Sequence, residues 1–377
     1  MSIDYNAIDV LIHLENIRAN WRLLNARSGR AWPVVKADAY GHGLIEVARA
    51  LSEEGADTFC IGTPGEGAKL RRSGHTARIV SLTGAIAPGD YDLLWDYDII
   101  PFVAGFEHLE ALAAQAAGRR KPLPVSLKFD TGMSRLGFTR DDLPALAERL
   151  HRLPGIVPAL VSSHLATSDE PNQLDFMDRQ ADTFDAIVSY LKAEGFDVEA
   201  NLANSAAILA HARTHYAAQR AGIAMYGCNP FHGTAMAHHG QGLRPAMEVS
   251  APILHVHTLP KGESVSYGRT YKAEQDMRVA IVAVGYADGY SRGLSNTGWM
   301  CVNGRRVPIV GRVCMQLTAV DVSALEGGPD AAHVGQRAWL LGGEGPGRIS
   351  PEDLAGWWST ITYEAFCLLG MNPRRYV

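Results

Sequence analysis

Several short stretches end an apolar run on a side chain able to do chemistry. In "PVVKADAYGHG" (33–43) the run Pro33–Val34–Val35 gives way to Lys36, Asp38, Tyr40 and two glycines. A lysine seldom enters a core without a bonded partner, so Lys36 either faces a cleft or snorkels at the surface. "VSLKFDTGMSRLG" places Lys128, Asp130 and Arg135 in the same way, and His164 follows "VSS". Asn204 and Ser205 form a capping pair opening "NSAAILAHA". Arg220, Gly222 and Ile223 lie in the small-residue turn "RAGIAMYG". Backbone N–H groups at a helix start and in such a turn suit a phosphate.

These groups need elements to hold them. From Trp32 to about Gly227, short apolar runs ("WPVVKAD", "TFCIGT", "RIVSLTGA", "IIPFV", "PVSLKFD", "VPALVSSHL", "VEANLAN", "QRAGIAMYG") alternate with amphipathic stretches such as "HLEALAAQAAG" and "DDLPALAERLHRL". Eight strand–helix units predict an α/β fold, a (β/α)8 TIM-type barrel. A doubly wound sheet is the competing architecture, but no glycine-rich nucleotide loop follows the first strand. Chemistry in such barrels gathers where strands end, and phosphates often sit on the loops after strands seven and eight. A lysine after strand one facing that cradle suggests pyridoxal phosphate, with Lys36 as covalent anchor.

The chain has 377 residues, 47% hydrophobic and 20% charged, with a net charge of −5. That is ordinary globular usage with room for two domains. It argues against nucleic acid or an anionic membrane as partner. No apolar stretch is long enough to span a bilayer, and the start "MSIDYN" shows no secretion signal. The five cysteines are scattered and never in C-x-x-C spacing. They predict neither a disulfide framework nor a zinc ribbon, and they fit a cytoplasmic setting.

After Gly227 the texture changes. "NPFHGTAMAHHGQGLRP" reads as a polar linker. From Met247 strand follows strand, with Asn303-Gly304 marking a hairpin and Ser350-Pro351 opening a capped helix. The expected domains are therefore 1–240, the barrel, and 241–377, mostly β. An opening strand and helix in "AIDVLIHLENIRANWRLL" fall outside the eight units, and that strand is available to the second domain. His232, His238, His239, His255 and His257 invite a metal, but no carboxylate or cysteine joins them at ligand spacing, so no metal site is expected. "GGEGPG" near residue 345 is a turn.

The chain resembles the alanine racemases, fold type III pyridoxal-phosphate enzymes. The likeness runs in family order through "VVKADAYGHG", "LKFDTGMSRLGF", "SSHLATSDE", "NSAA", "RAGIAMYG", "VSYGRTY", "VGYADGYSR", "GRVCMQ" and "TITYE". The resemblance implies a homodimer interconverting L- and D-alanine, the D-isomer being a peptidoglycan precursor. By the same resemblance Lys36 holds the cofactor and acts as base on one face of the substrate. Tyr267, from the partner subunit, acts on the other face. Tyr40, Ser205 and Tyr363 are implied phosphate ligands, with Asn204 beside them and the backbone of Gly222 and Ile223 helping. Arg220 should face the pyridine nitrogen, with His164 linking it to Tyr267. Arg135 and Met315 should meet the substrate carboxylate, and Lys128 corresponds to a lysine that can be carbamylated. One departure is Gln316, where the family usually carries an acid near the substrate entrance. The alternatives are a racemase for serine or another small amino acid, a fold type III decarboxylase, which Arg220 opposes, and a non-catalytic single-barrel cofactor-binding protein.

Overall fold

The computed structural model describes residues 7–327 and 331–377. The opening "MSIDYN", expected to carry no secretion signal, lies outside the described residues. Two compact units emerge, one of residues 17–39 and 44–244, the other of residues up to 16, 40–43 and 245–377.

The chain opens with strand β1 (Asp9–Ile12), which belongs to the second unit, and the helix Leu14–Ser28. The first unit then runs through eight parallel strands. These are β2 (Ala31–Pro33), β3 (Thr58–Ile61), β4 (Arg78–Ser81), β5 (Ile99–Val103), β6 (Leu123–Lys128), β7 (Ile156–Ser162), β8 (Glu199–Asn201) and β9 (Gln219–Ala221). β3 to β8 form one continuous parallel sheet, and β2 pairs with β9. A bridge from Val34 to Cys60 joins β2 to β3, and the Arg220 amide donates to Ala203 O at 3.0 Å across the remaining seam. The sheet thus closes on itself as the eight apolar runs predict. β3 and β5 are buried along their whole length, as strands covered on both faces must be. The helices between them present one apolar stripe each. In Leu174–Ala193 it is Met177, Ala181, Phe184, Ile187, Val188 and Leu191, which follows the 3.6-residue period.

At the strand starts Glu199 accepts from Arg78 (2.9 and 3.1 Å) and Arg30 (3.3 Å), and these bonds hold its carboxyl below the usual carboxylate range. The Arg78 guanidinium also lies 4.9 Å from the Trp32 ring centre. The "linker" of the sequence is folded instead. Phe231 is fully buried, Asn229 Nδ2 donates to Ala237 O at 2.8 Å, and Arg244 N donates to Asn20 Oδ1 at 2.8 Å. A buried aromatic, one local hydrogen bond and one long-range bond to the helix Leu14–Ser28 outweigh the polar composition, and the barrel unit extends through Arg244.

The second unit is mostly β. Its main strands are β10 (Met247–Leu259), β11 (Ser264–Val265), β12 (Tyr271–Lys272), β13 (Met277–Val282), β14 (Trp299–Val302), β15 (Arg305–Pro308), β16 (Thr318–Asp321), β17 (Arg337–Leu341) and β18 (Arg374–Tyr376). The sheet order is β15-β14-β17-β10-β1-β18, with β13 on the far half of β10 and β16 on β13. β1 lies antiparallel to β10 (Val10 opposite Val249) and parallel to β18 (Val10 opposite Arg374). Asn303 and Gly304 both have positive φ (50° and 70°) between the paired residues Val302 and Arg305, the two-residue turn that suits strand twist. Ser350 Oγ accepts from Asp353 N at 3.0 Å and Pro351 takes the first helical position. No helix among the described residues is long and apolar enough to cross a membrane.

Candidate active site

Lys36 stands just beyond β2, exposed after the buried pair Val34–Val35. Its successors Ala37, Asp38, Ala39 and Tyr40 all have φ of 54–55°. Four consecutive non-glycine residues in the left-handed region cost roughly 1–2 kcal/mol each, and such strain persists only where the surroundings over-determine it. Here they do. Ala39 N donates to Val35 O at 2.9 Å, and Leu44 N donates to Asp38 Oδ1 at 2.9 Å. Glu66 reaches in from the helix Pro64–Arg72. Its Oε1 accepts from Ala37 N at 2.8 Å and its Oε2 from Gly62 N at 2.7 Å.

The other strand ends carry basic side chains whose charges act on His164. Burial is the first cause that holds its imidazole well below the usual histidine range, followed by the like charges of Arg220, Lys128, Arg135 and Lys36. His164 is therefore neutral near pH 7. Arg220 is only 6% exposed. Its Nη1 donates to Asn201 O and Oδ1, and its Nη2 to Ser163 O, Leu202 O and, at 3.3 Å, His164 Nδ1. Because the guanidinium only donates, His164 Nδ1 accepts and its remaining proton sits on Nε2. Burial lowers the Arg220 pKa to about 10, so it stays a cation, with its Nε–H uncommitted among the described residues.

Lys128 is 6% exposed. Burial first, then the charge of Arg220, lowers its amine to about 7. Its Nζ donates to Phe129 O at 2.6 Å. The neighbouring Asp130 makes no ion pair with it. Its Oδ1 instead accepts from Gly132 N (2.8 Å) and Ser134 N (3.0 Å), shaping the loop that carries the exposed Arg135.

After β8, Asn204 caps the helix Ser205–Ala210. Its Oδ1 accepts from Ala207 N at 3.2 Å and from Ser168 Oγ at 2.8 Å, and its Nδ2 donates to Leu165 O at 3.4 Å. Ser205 Oγ accepts from Gly222 N (2.9 Å) and Ala224 N (3.2 Å). This ties the helix start to the turn after β9 that contains Ile223. Helix start and small-residue turn are thereby held side by side.

The remaining candidates lie on the second unit. Tyr40 and Tyr363 have ring centres 5.7 Å apart. Gly41 is pressed against the helix Thr362–Leu369, where an added Cβ would lie 2.3 Å from Phe366 O, and His42 meets the Phe366 ring edge-on at 4.8 Å. Tyr267 is 72% exposed and Met315 58%. Ser266 holds the first of these in a turn with φ of 68°, donating from Oγ to Arg312 O at 2.6 Å. Around Met315, Ala287 N donates to its carbonyl at 2.9 Å.

The chain matches the family profile "Alanine racemase, N-terminal domain" over residues 12–230 and "Alanine racemase, C-terminal domain" over 246–377. The chain belongs to the alanine racemase family. It is 53% identical over 376 residues to the alanine racemase of Nitratidesulfovibrio vulgaris (strain DSM 19637 / Miyazaki F), covering 100% of both chains. It is 38% identical to that of Lawsonia intracellularis, covering 97% of this chain and 96% of the other. Among solved structures, alanine racemase from E. faecalis superposes with a TM-score of 0.90 at 31% identity, covering 100% of both chains. That from Bartonella henselae, with covalently bound pyridoxal phosphate, gives 0.87 at 26% identity, covering 98% and 99%. This chain is accordingly an enzyme of the alanine racemase family.

Within this family member, the barrel unit carries Lys36, Lys128, Arg135, His164, Asn204, Ser205, Arg220, Gly222 and Ile223. The second unit carries Tyr40, Tyr267, Met315 and Tyr363. Sequence reasoning overlooked Glu66, Asn201 and Ser163. Glu66 did leave a signal, since Thr63-x-x-Glu66 is the spacing of a capping box. Asn201 and Ser163 are buried polar residues in apolar runs, with no spacing to mark them.

Proposed function

We propose that this chain racemises alanine with pyridoxal phosphate as cofactor, using Lys36 and the partner subunit's Tyr267 as bases on opposite faces of the substrate. The observation that carries the cofactor assignment is the donor set of the barrel unit. The charges of Lys36, Lys128, Arg135 and Arg220 all bear on one neutral histidine, and Ser205 Oγ gathers the Gly222 and Ala224 amides between a helix start and the turn after β9. That surface fits a dianionic phosphate joined to an aromatic ring. Ser205, Gly222, Ile223, Tyr40 and Tyr363 would hold the phosphate, with Asn204 fixing the helix start, and Lys36 would hold the cofactor covalently. When bound, the cofactor supplies the electron sink that makes the substrate α-proton acidic.

The protein's part is to place and move protons. One base returning a proton to the face it came from regenerates the same isomer, so racemisation needs a second group opposite. A tyrosine has an unperturbed pKa of about 10, and positive charge nearby is what lowers it. His164, with Nδ1 turned to Arg220 and Nε2–H free to donate, suits a relay from that charge to the phenol. Arg220 remains a cation, so it would donate a hydrogen bond to a ring nitrogen without readily surrendering a proton. That would limit electron withdrawal and favour returning the proton over side reactions. Arg135 and the Met315 backbone would orient the substrate carboxylate. Exposure of Tyr267 and Met315, with Tyr286, Leu317 and Ile361 also exposed on the second unit, supports a homodimer in which each subunit completes the other's site. Lys128, with its amine lowered to about 7 and in no ion pair among the described residues, is suited to carbamylation. The free cysteines are in keeping with a cytoplasmic enzyme.

Purified protein reconstituted with pyridoxal phosphate and given L-alanine should form D-alanine, detected by chiral chromatography. No D-alanine, with serine and other small amino acids racemised instead, would replace the substrate but keep the chemistry. No product from any amino acid would overturn the proposal.

A further inference from the structure

We propose that Glu66 is a positioning residue that holds the left-handed turn after Lys36 and thereby aims the lysine side chain. The inference rests on Lys36 being the cofactor-bearing base. Four successive residues with φ near 54° have no intrinsic reason to stay there. The turn's own bonds, Ala39 N to Val35 O and Leu44 N to Asp38 Oδ1, fasten its far end. They leave the two amides directly after Lys36 to another acceptor.

Glu66 Oε1 is that acceptor, at 2.8 Å from Ala37 N and 3.5 Å from Asp38 N. Its second oxygen accepts from Gly62 N at 2.7 Å and Thr63 N at 3.3 Å. One carboxylate therefore staples the turn to the end of β3. A helix-capping glutamate ordinarily serves only its own N-cap amide. This one spends half its capacity on a segment some thirty residues earlier in sequence. Gly62 keeps the space open, because a Cβ there would sit 3.0 Å from Glu66 Oε2 and 3.5 Å from Lys36 Cβ. The local geometry thus joins Glu66, Gly62 and Lys36 in one contact. Removing the carboxylate takes the acceptor from the strained Ala37 amide directly after the lysine, and misplacing a reacting group by about 1 Å costs on the order of a hundredfold in rate.

The test compares Glu66→Ala, Glu66→Gln and Lys36→Ala in the full-length protein. Three quantities are read: the rate at which the apoprotein gains a borohydride-trappable bond to pyridoxal phosphate, kcat and KM for alanine, and the thermal midpoint. Glu66→Ala should slow covalent capture and lower kcat about tenfold to a hundredfold while KM changes little. Glu66→Gln keeps one oxygen to accept from Ala37 N but turns an NH2 toward the Gly62 and Thr63 amides, so it should recover only part of both. A purely structural role would lower the thermal midpoint of Glu66→Ala and leave capture and kcat of the folded protein unchanged, overturning the inference. Should the alanine variant not fold, wild-type capture rate and kcat in Glu66→Gln together with wild-type values in Glu66→Asp, whose shorter arm cannot span both partners, would overturn it equally. Lys36→Ala separates the two claims. If it still captures the cofactor covalently, the anchor assignment fails; if it does not and Glu66→Ala is normal, only the role of Glu66 fails.

Discussion

Lys128→Met is a perturbation whose size follows from the structure. The Lys128 amine is lowered from 10.5 to about 7, chiefly by burial. In the unfolded chain it titrates near 10.4. Between those values the unfolded chain holds a proton that the folded chain has released. Stability therefore rises with pH across that window, by about 1.4 kcal/mol per unit, and is lost as pH falls from about 10 to about 7. Summed over the window this is of order 5 kcal/mol as a ceiling. Methionine has similar length and nothing to titrate. It forfeits the bond from Nζ to Phe129 O, worth about 1 kcal/mol. In CO₂-free buffer, urea unfolding followed by tryptophan fluorescence should find the variant more stable than the parent near pH 6. The gap should close steadily toward pH 10, where the parent catches up. Other titrating groups are shared and cancel in the difference. A gap that stays constant with pH would refute the claim that this lysine is buried as a costly charge.

The same amine should bind carbon dioxide. At pH 7 about half of Lys128 is neutral, against roughly one in three thousand for an unperturbed lysine, so native mass spectrometry in bicarbonate should show one CO₂-sized addition that Lys128→Met abolishes. Gly41→Ala puts a Cβ 2.3 Å from Phe366 O at a φ of +78°. It should lower stability by about 2 kcal/mol or more and weaken pyridoxal-phosphate affinity through Tyr40, read by thermal melting and equilibrium dialysis. Asn204→Ala removes a helix cap that also bonds Ser168 and Leu165. It should cost about 1–2 kcal/mol and raise the dissociation constant for the cofactor, while Asn204→Ser retains most of both.

Much of the architecture was legible because periodicity reports burial. The eight apolar runs closed into a barrel, Asn303-Gly304 made its hairpin, and β1 was free to join the second sheet. What escaped was conformation without a compositional mark. Ala37, Asp38 and Ala39 carry no sign of a left-handed turn, since glycine is the usual signal for positive φ and here it appears only afterwards, at Gly41. The stretch 229–245 looked like a linker because its polar residues outnumber Phe231, yet that one ring decides its packing. Site residues were legible where a strand end met an ionisable group, as at Lys36, Lys128, His164 and Arg220. Their supports were not, because Asn201, Ser163 and Glu66 act through tertiary bonds that spacing alone leaves unspecified.

In the proposed reaction two bases on opposite faces share the proton transfer. The most direct measurement follows L- and D-alanine separately in deuterium oxide, with wild type and Tyr267→Phe, reading α-proton loss by NMR and isomer composition by chiral chromatography. The wild type should exchange both isomers and interconvert them. Tyr267→Phe should keep the covalently held cofactor and exchange one isomer only, with interconversion nearly abolished. Normal racemisation by Tyr267→Phe would contradict the two-base account outright.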